Sequence, residues 1–276
     1  HADTMAKLGF GFVEVGTFTP EPQQGNPKPR VFRLVEEESL VNRLGFNNPG
    51  AVRAQGNIRR QRRDGYILGV NVGKGAKTPL ERASDDYVRC LELLYPLGDY
   101  FTVNVSSPNT ADLRKLQSAH ALEALLERIA GLRDDLSASN GHKPLAVKLS
   151  PDWEEDALRE TCAVISDSGF DAVIATNTSV ARPDAVTGLR HGNESGGLSG
   201  RAISEIALRT LDAVRRHIPV GKALIACGGI SSPEGVRARI AAGADLIQLY
   251  TGLVYGGPSL VADLARAAAA AGGREA

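Results

Sequence analysis

Seven short runs rich in apolar and β-branched residues recur along the chain, most of them followed by a stretch with helical patterning. This alternation constrains the fold more than any other feature. The runs are Phe12–Thr17, Leu68–Val72, Phe101–Val105, Ala146–Ser150, Ala172–Asn177, Leu224–Gly229 and Leu246–Gly252. Strands that are apolar on both faces and alternate with helices form a parallel sheet with helices packed over it. Helix starts are marked between the strands. Thr78-Pro79-Leu80-Glu81 reads as a capping box with proline at the first helical position, and Asp152-Trp153-Glu154-Glu155 repeats the acceptor-to-glutamate spacing. Ser232-Pro233-Glu234 opens another helix, whose alanine-rich end runs into a capping glycine, Gly243.

An open seven-stranded sheet would leave two apolar edges unpaired, which folded proteins avoid. The expected fold is therefore a (β/α)8 TIM barrel with its first strand missing from this chain. Asp3 to Gly9 reads as the last two turns of a helix that would follow such a strand. A barrel of this kind takes about 250 residues, so residues 1–276 read as one N-terminally truncated barrel domain. The segment 18–65 is a long lid or hairpin insertion after the barrel's second strand, with a Pro/Gly-rich start (TPEPQQGNPKPR), a strand-like VFRL and then ESLVNRLGFNN.

Charge and cysteine content exclude several classes of function. The 32 Lys and Arg balance the 32 Asp and Glu, so neither nucleic acid nor an anionic surface is the expected main partner. The basic run from Arg59 to Arg63 has no interleaved aromatic residues and reads as a solvated helix face. Cys90, Cys162 and Cys227 form no CxxC pair, so no zinc or iron–sulfur site is expected. No apolar run reaches the length of a membrane span.

In parallel barrels the active site forms at the carboxyl ends of the strands. Here those ends carry Thr17, Asn71, Asn104, Lys148, Thr176 and Asn177, and Asn104 opens the run Asn104-Val105-Ser106-Ser107-Pro108-Asn109. Asparagine offers a donor and an acceptor without charge, which suits a flat heterocycle with alternating carbonyl and N–H groups. The turns after the last two strands, Gly228-Gly229 and Tyr250-Thr251-Gly252, together with Gly196-Gly197-Leu198-Ser199-Gly200, suit close backbone approach to a phosphorylated ligand. The five histidines, His1, His120, His142, His191 and His217, all fall outside the strand ends, so neither a Ser–His pair nor a metal site is drawn there. Lys148 is the evident cation at a strand end, with no acidic residue on the adjoining ends, and is read as facing negative charge that develops on a ligand.

The blocks GFGFVEVGTFTPEPQQGNPKPRVFRL, NRLGFNN, NVSSPNT, ATNTS, GGLSG, ACGGI and LYTG, in this order, resemble the dihydroorotate dehydrogenases over essentially the whole chain. The serine of the SSPN block and the GNPKPR segment resemble the quinone-dependent, membrane-associated class, since the soluble class has cysteine as its base. The resemblance implies a flavin enzyme of pyrimidine biosynthesis that oxidises dihydroorotate to orotate with FMN and passes electrons to a quinone. Ser107 matches the base that takes the C5 proton, while hydride leaves C6. Asn42, Arg43, Leu44, Gly45 and Phe46 match the loop over the substrate, with Asn109, Asn177 and Thr178 as further substrate contacts. Asn104 matches a position shared by substrate and flavin. Thr17, Asn71, Lys148, Thr176, Gly200, Gly229, Tyr250 and Thr251 match flavin positions.

Two departures accompany the match. The family's Ala-Ala-Gly-x-Asp-Lys block on strand one and the upstream helical pair that holds the quinone and meets the membrane are not in this sequence. The chain alone is thus expected to bind FMN weakly and to reduce quinone poorly. The resemblance implies peripheral attachment to the cytoplasmic face of a bacterial membrane, or alternatively to the mitochondrial inner membrane. Rival readings are another FMN barrel reductase of a pyrimidine ring, which Ser107 in place of cysteine argues against, and a non-redox barrel that binds a phosphorylated metabolite. A third is a ligand-binding remnant without turnover.

Overall fold

The computed structural model describes residues 2–62 and 65–272. A short helix α1 (Ala2–Ala6) leads into strand β1 (Phe12–Phe18), which is followed by the hairpin strands β2 (Val31–Leu34) and β3 (Ser39–Asn42). Helix α2 (Ala51–Gln61) and strand β4 (Ile67–Val72) return the chain to the main sheet. Regular alternation then runs through α3 (Ala83–Leu94), β5 (Tyr100–Asn104), α4 (Ala119–Asn140), β6 (Leu145–Leu149), α5 (Glu155–Asp167) and β7 (Ala172–Ala175). A short helix α6 (Asp184–Thr187) and strand β8 (Gly197–Gly200) precede α7 (Ser204–His217) and β9 (Ala223–Cys227). The chain closes with α8 (Pro233–Ala241), β10 (Leu246–Gln248), α9 (Thr251–Gly256) and α10 (Ser259–Ala271).

The seven expected runs form one parallel sheet in the order β1-β4-β5-β6-β7-β9-β10. It is a curled, incomplete barrel with helices on its outside. The eighth strand of a complete barrel is not among the described residues. Register brings the polar strand ends side by side: Asn71 is level with Thr102, and Asn104 with Lys148. The main core lies between sheet and helices, with Val70, Val103, Val147 and Val173 fully buried against Leu91, Leu126 and Leu211.

The 18–65 segment differs from a plain loop. Its β3 pairs on one side with β2 and on the other with β8, forming a separate antiparallel sheet. Phe32, Leu34, Val41, Val186, Leu198 and Ile203 give this sheet its own small core. The run Gly197–Gly200, read from sequence as a glycine turn, is thus an edge strand of that sheet. Arg59 and Arg60 are exposed on the last turn of α2, as expected for a solvated face, but Arg62 turns inward to pair with Asp99 at 2.6 Å, and Arg63 lies outside the described residues.

Some local expectations hold and others are corrected. Ser232 accepts from the Gly235 N–H at 3.2 Å with Pro233 at the first helical position, and Gly243 follows α8 at φ +91°. Thr78, however, caps nothing. Its carbonyl is taken by Lys74 Nζ at 2.7 Å, and α3 begins only at Ala83 after a 3-10 turn over Leu80–Arg82. Asp152 is not a cap either, because Arg114 draws its carboxylate away at 2.8 Å and α5 starts at Glu155. The last strand stops at Gln248 rather than Gly252, since helix α9 starts at Thr251.

Candidate active site

The carboxyl ends of β1, β4, β5 and β7 bring their polar side chains into one hydrogen-bonded cluster. Thr17 Oγ1 donates to Asn71 Oδ1 at 2.6 Å, and Asn104 Nδ2 donates to Thr17 Oγ1 at 3.0 Å. Asn177 Nδ2 donates to Asn104 Oδ1 at 3.2 Å and to Ser106 Oγ at 3.0 Å. Asn71 and Asn104 are buried, so each amide is held in one orientation by its neighbours.

Ser107 follows directly. Its hydroxyl oxygen accepts the Asn109 N–H at 3.2 Å, and the residue is only 6% exposed. That amide stabilises negative charge on Ser107 Oγ when a proton has left it. Asn109 Nδ2 reaches Asn42 Oδ1 at 3.1 Å, so the serine loop and the root of the 42–46 loop are joined. The 42–46 loop is pinned further by Gln23 Nε2 on the Gly45 carbonyl at 2.9 Å, and the Phe46 ring lies over Gly73 at the end of β4. Arg43 turns elsewhere: its guanidinium binds Glu194 at 2.8 Å and lies 4.5 Å from the Phe32 ring centroid. That contact holds the Glu194 carboxyl below the usual carboxylate range, with His191 assisting.

Lys148 is not the isolated cation its sequence neighbours suggest. Its Nζ donates to Gln248 Oε1 at 2.9 Å, and Gln248 Nε2 donates to Glu14 Oε2 at 3.1 Å. Glu14 also accepts from Asn71 Nδ2 at 2.8 Å, Tyr100 Oη at 3.1 Å and Thr102 Oγ1 at 2.7 Å. Removal from water draws the Lys148 pKa down, but Cys227 and Glu14 nearby outweigh this and leave it above the ordinary lysine value. Glu14 and Gln248 were missed in the sequence because they lie within strands. Only the curl of the sheet turns them toward Lys148.

Two further residues escaped the sequence reading. Arg114 clamps the serine loop to the β7 loop: Nε donates to the Ser106 carbonyl at 3.0 Å and Nη2 to the Thr178 carbonyl at 2.8 Å, with Asp152 as counter-ion. Lys74, just beyond β4, is a second buried lysine, but its ammonium is occupied by the Gly75 and Thr78 carbonyls. The spacing of these residues carries no motif that would have signalled them.

The remaining expected positions lie at the same end of the sheet. Thr176 follows β7, and its Oγ1 donates to the Asn177 carbonyl at 3.0 Å. Thr178 Oγ1 is shut from solvent without a protein partner, an arrangement that costs about 1–3 kcal/mol unless something else supplies the hydrogen bond. Gly200 and Gly229 have φ of +96° and +66°, and a Cβ there would come within 2.4 Å of the Glu38 carbonyl oxygen and 2.2 Å of Ser204 Cα. Thr251 Oγ1 donates to Ser199 Oγ at 2.9 Å, while Tyr250 is exposed.

This set suits a flavin nucleotide. Neutral amides and a lysine occupy one part of the sheet end, and turns without side chains occupy the part beyond β8 and β9. Among the described residues no cluster of three or more metal-ligating side chains occurs.

The comparisons with known proteins show the family. The family model described as "Dihydroorotate dehydrogenase" matches residues 1–270. The dihydroorotate dehydrogenase (quinone) of Bordetella parapertussis is 48% identical over 272 residues, which is 98% of this chain and 78% of that protein. The protein of the same name from Methylibium petroleiphilum is 49% identical over 268 residues, covering 96% and 78%. Among solved structures, DHODH from Eimeria tenella in complex with ferulenol superposes with a TM-score of 0.90 at 31% identity, over 97% of this chain and 76% of that one. With the family model matching residues 1–270 and relatives nearly half identical along almost its whole length, this chain belongs to the dihydroorotate dehydrogenase family.

Proposed function

We propose that this chain oxidises dihydroorotate to orotate in pyrimidine biosynthesis, with FMN as its cofactor and a quinone as the final electron acceptor. The observation that carries this reading is that Asn177, bonded to Asn104, also holds Ser106, the residue next to Ser107, whose hydroxyl meets the Asn109 amide while Asn109 reaches Asn42. FMN, when bound, supplies acceptance of the hydride that leaves C6 of the substrate. Every other part of the chemistry falls to the side chains.

Asn42, Asn104, Asn109, Asn177 and Thr178 hold the pyrimidine ring through complementary donors and acceptors. Ser107 Oγ, after passing its own proton to water, takes the C5 proton, and the Asn109 N–H steadies the negative charge the oxygen carries before that transfer. Lys148 is a fixed cation, kept charged by its surroundings, where negative charge accumulates. Thr17, Asn71 and Thr176 would hold the flavin ring system, and Gly200, Gly229, Tyr250 and Thr251 its phosphate-bearing tail. Residues 42–46, within the 18–65 insertion, close over the substrate and exclude water.

Residues 1–276 act as one barrel domain. Among the described residues no helix is long and apolar enough to cross a membrane. The relatives are longer than this chain, which spans 78% of the Bordetella protein. A quinone as electron acceptor and peripheral attachment to the cytoplasmic face of a bacterial membrane are part of the same proposal.

The test is the visible spectrum of the purified chain reconstituted with excess FMN, recorded before and after anaerobic addition of dihydroorotate. A protein-bound flavin band that bleaches supports cofactor and substrate together. Absence of any FMN binding even at saturating FMN, or a bound flavin indifferent to dihydroorotate, overturns the reading.

A further inference from the structure

Arg239 lies on α8 beneath the turn that follows β9, and it is only 2% exposed. Its Nη2 donates to the Gly228 carbonyl at 3.0 Å, the Ser204 carbonyl at 3.1 Å and Ser204 Oγ at 3.0 Å, and its Nη1 to the Gly235 carbonyl at 3.2 Å. All of these acceptors are neutral. Among the described residues no carboxylate lies within ion-pair distance of it. A buried charge without a partner of opposite sign is costly, and proteins rarely keep one unless a partner is supplied.

The contact with Gly228 also fixes a direction. The Gly228–Gly229 peptide is trans, so its N–H points opposite to its carbonyl. With the carbonyl held by Arg239, the Gly229 N–H faces away from α8. Among the described residues neither it nor the Ile230 N–H finds a protein acceptor. Gly229 is pressed against Ser204, whose Cα a Cβ would meet at 2.2 Å, so the turn has no room to move toward α7.

We infer that Arg239 is the positioning residue of this turn: it aims the Gly229 amide and supplies the buried counter-charge for a phosphate monoester bound there. The inference rests on the flavin-phosphate reading above and goes beyond it by naming a residue that never touches the ligand. Arginine remains charged at any working pH, although burial draws its pKa down. Its field therefore acts on a phosphate dianion and has no counterpart for an uncharged ligand.

The experiment compares binding of FMN with binding of riboflavin, which lacks the phosphate, by fluorescence quenching in the intact chain, in Arg239→Met and in Arg239→Lys. The wild-type chain is expected to prefer FMN. Arg239→Met should lower the FMN-to-riboflavin affinity ratio by roughly tenfold or more while leaving riboflavin affinity in place. Arg239→Lys keeps the charge without the planar fork and should fall between the two. A folded Arg239→Met with an unchanged ratio, or one in which both ligands weaken equally, overturns the inference. Should that variant fail to fold, an unchanged ratio in Arg239→Lys does the same. A wild-type chain that binds flavin without preferring FMN removes the phosphate reading itself, a result distinct from the other two.

Discussion

Gln248 and Glu14 meet across the open side of the main sheet, with Gln248 Nε2 donating to Glu14 Oε2 at 3.1 Å although β10 and β1 are the two outermost strands. Through this contact the ends of the sheet share one carboxylate, which also holds Asn71, Tyr100 and Thr102.

Replacing Glu14 removes the acceptor of four donors at once. Glu14→Ala should cost about 2–4 kcal/mol of stability, because an unsatisfied buried donor is more expensive than a lost hydrogen bond is valuable. Glu14→Gln, which keeps one acceptor oxygen, should cost about half as much. Urea unfolding of the three proteins measures this. A loss below about 0.5 kcal/mol in Glu14→Ala would mean that the network carries no structural weight.

Among the described residues Ser107 has no histidine or carboxylate as a hydrogen-bond partner, only the Asn109 amide. Ser107→Ala should therefore abolish proton removal while disturbing little else. Turnover of dihydroorotate should fall by about 10²–10⁴-fold with little change in ligand affinity. Ser107→Cys should recover part of the rate, since a thiol can take the same proton. Anaerobic flavin-reduction kinetics test both, and a fully active Ser107→Ala removes the serine from the chemistry.

The raised pKa of Lys148 has a definite sign in stability. A lysine whose folded pKa exceeds its unfolded value stabilises the fold at all pH below about 10.4, and that contribution disappears as pH rises through the folded value. The urea midpoint of the wild-type chain should fall along an alkaline limb above about pH 10.4 that Lys148→Met lacks. The same substitution should reduce turnover by about 10²–10³-fold at neutral pH. Identical alkaline limbs in the two proteins contradict the assignment.

Glu194 behaves in the opposite sense. Arg43 holds its carboxyl below the usual range, so the pair stabilises the anchor of the 42–46 loop above about pH 4.3 and lets go as pH falls through the lowered value. Limited proteolysis should find the loop protected at pH 5 in the wild-type chain but cut in Arg43→Ala. Below the carboxylate range the two should be cut alike. Equal cutting at pH 5 would show that the pair anchors nothing.

The seven parallel strands were legible because each is a short apolar run; the five inner ones are mostly buried, while β1 and β10 at the sheet's edges are only partly covered. Ser232 was legible as a cap because nothing competes for its hydroxyl. Thr78 and Asp152 show the same local pattern and fail, since Lys74 and Arg114 reach them from elsewhere in the fold. The asparagine cluster and Ser107 could be read from strand ends and family motifs. Glu14, Gln248, Arg114 and Arg239 could not, because each acquires its role only when segments far apart in sequence are brought together.

The small sheet under the substrate loop has a consequence for the order in which the protein can be built. Strand β3 is its central member, and on one side it is completed by β8, with Ser199 opposite Leu40 at a separation of 159 residues. At about 5–20 residues per second on the ribosome, β3 waits roughly 8–30 s for that partner to be made. Throughout that interval Leu40 and Val41 have only β2 beside them, and a lone hairpin is marginal in water. The hairpin of the 18–65 segment thus begins as a sticky, half-finished edge on the nascent chain, and it becomes safe only once Gly200 has emerged.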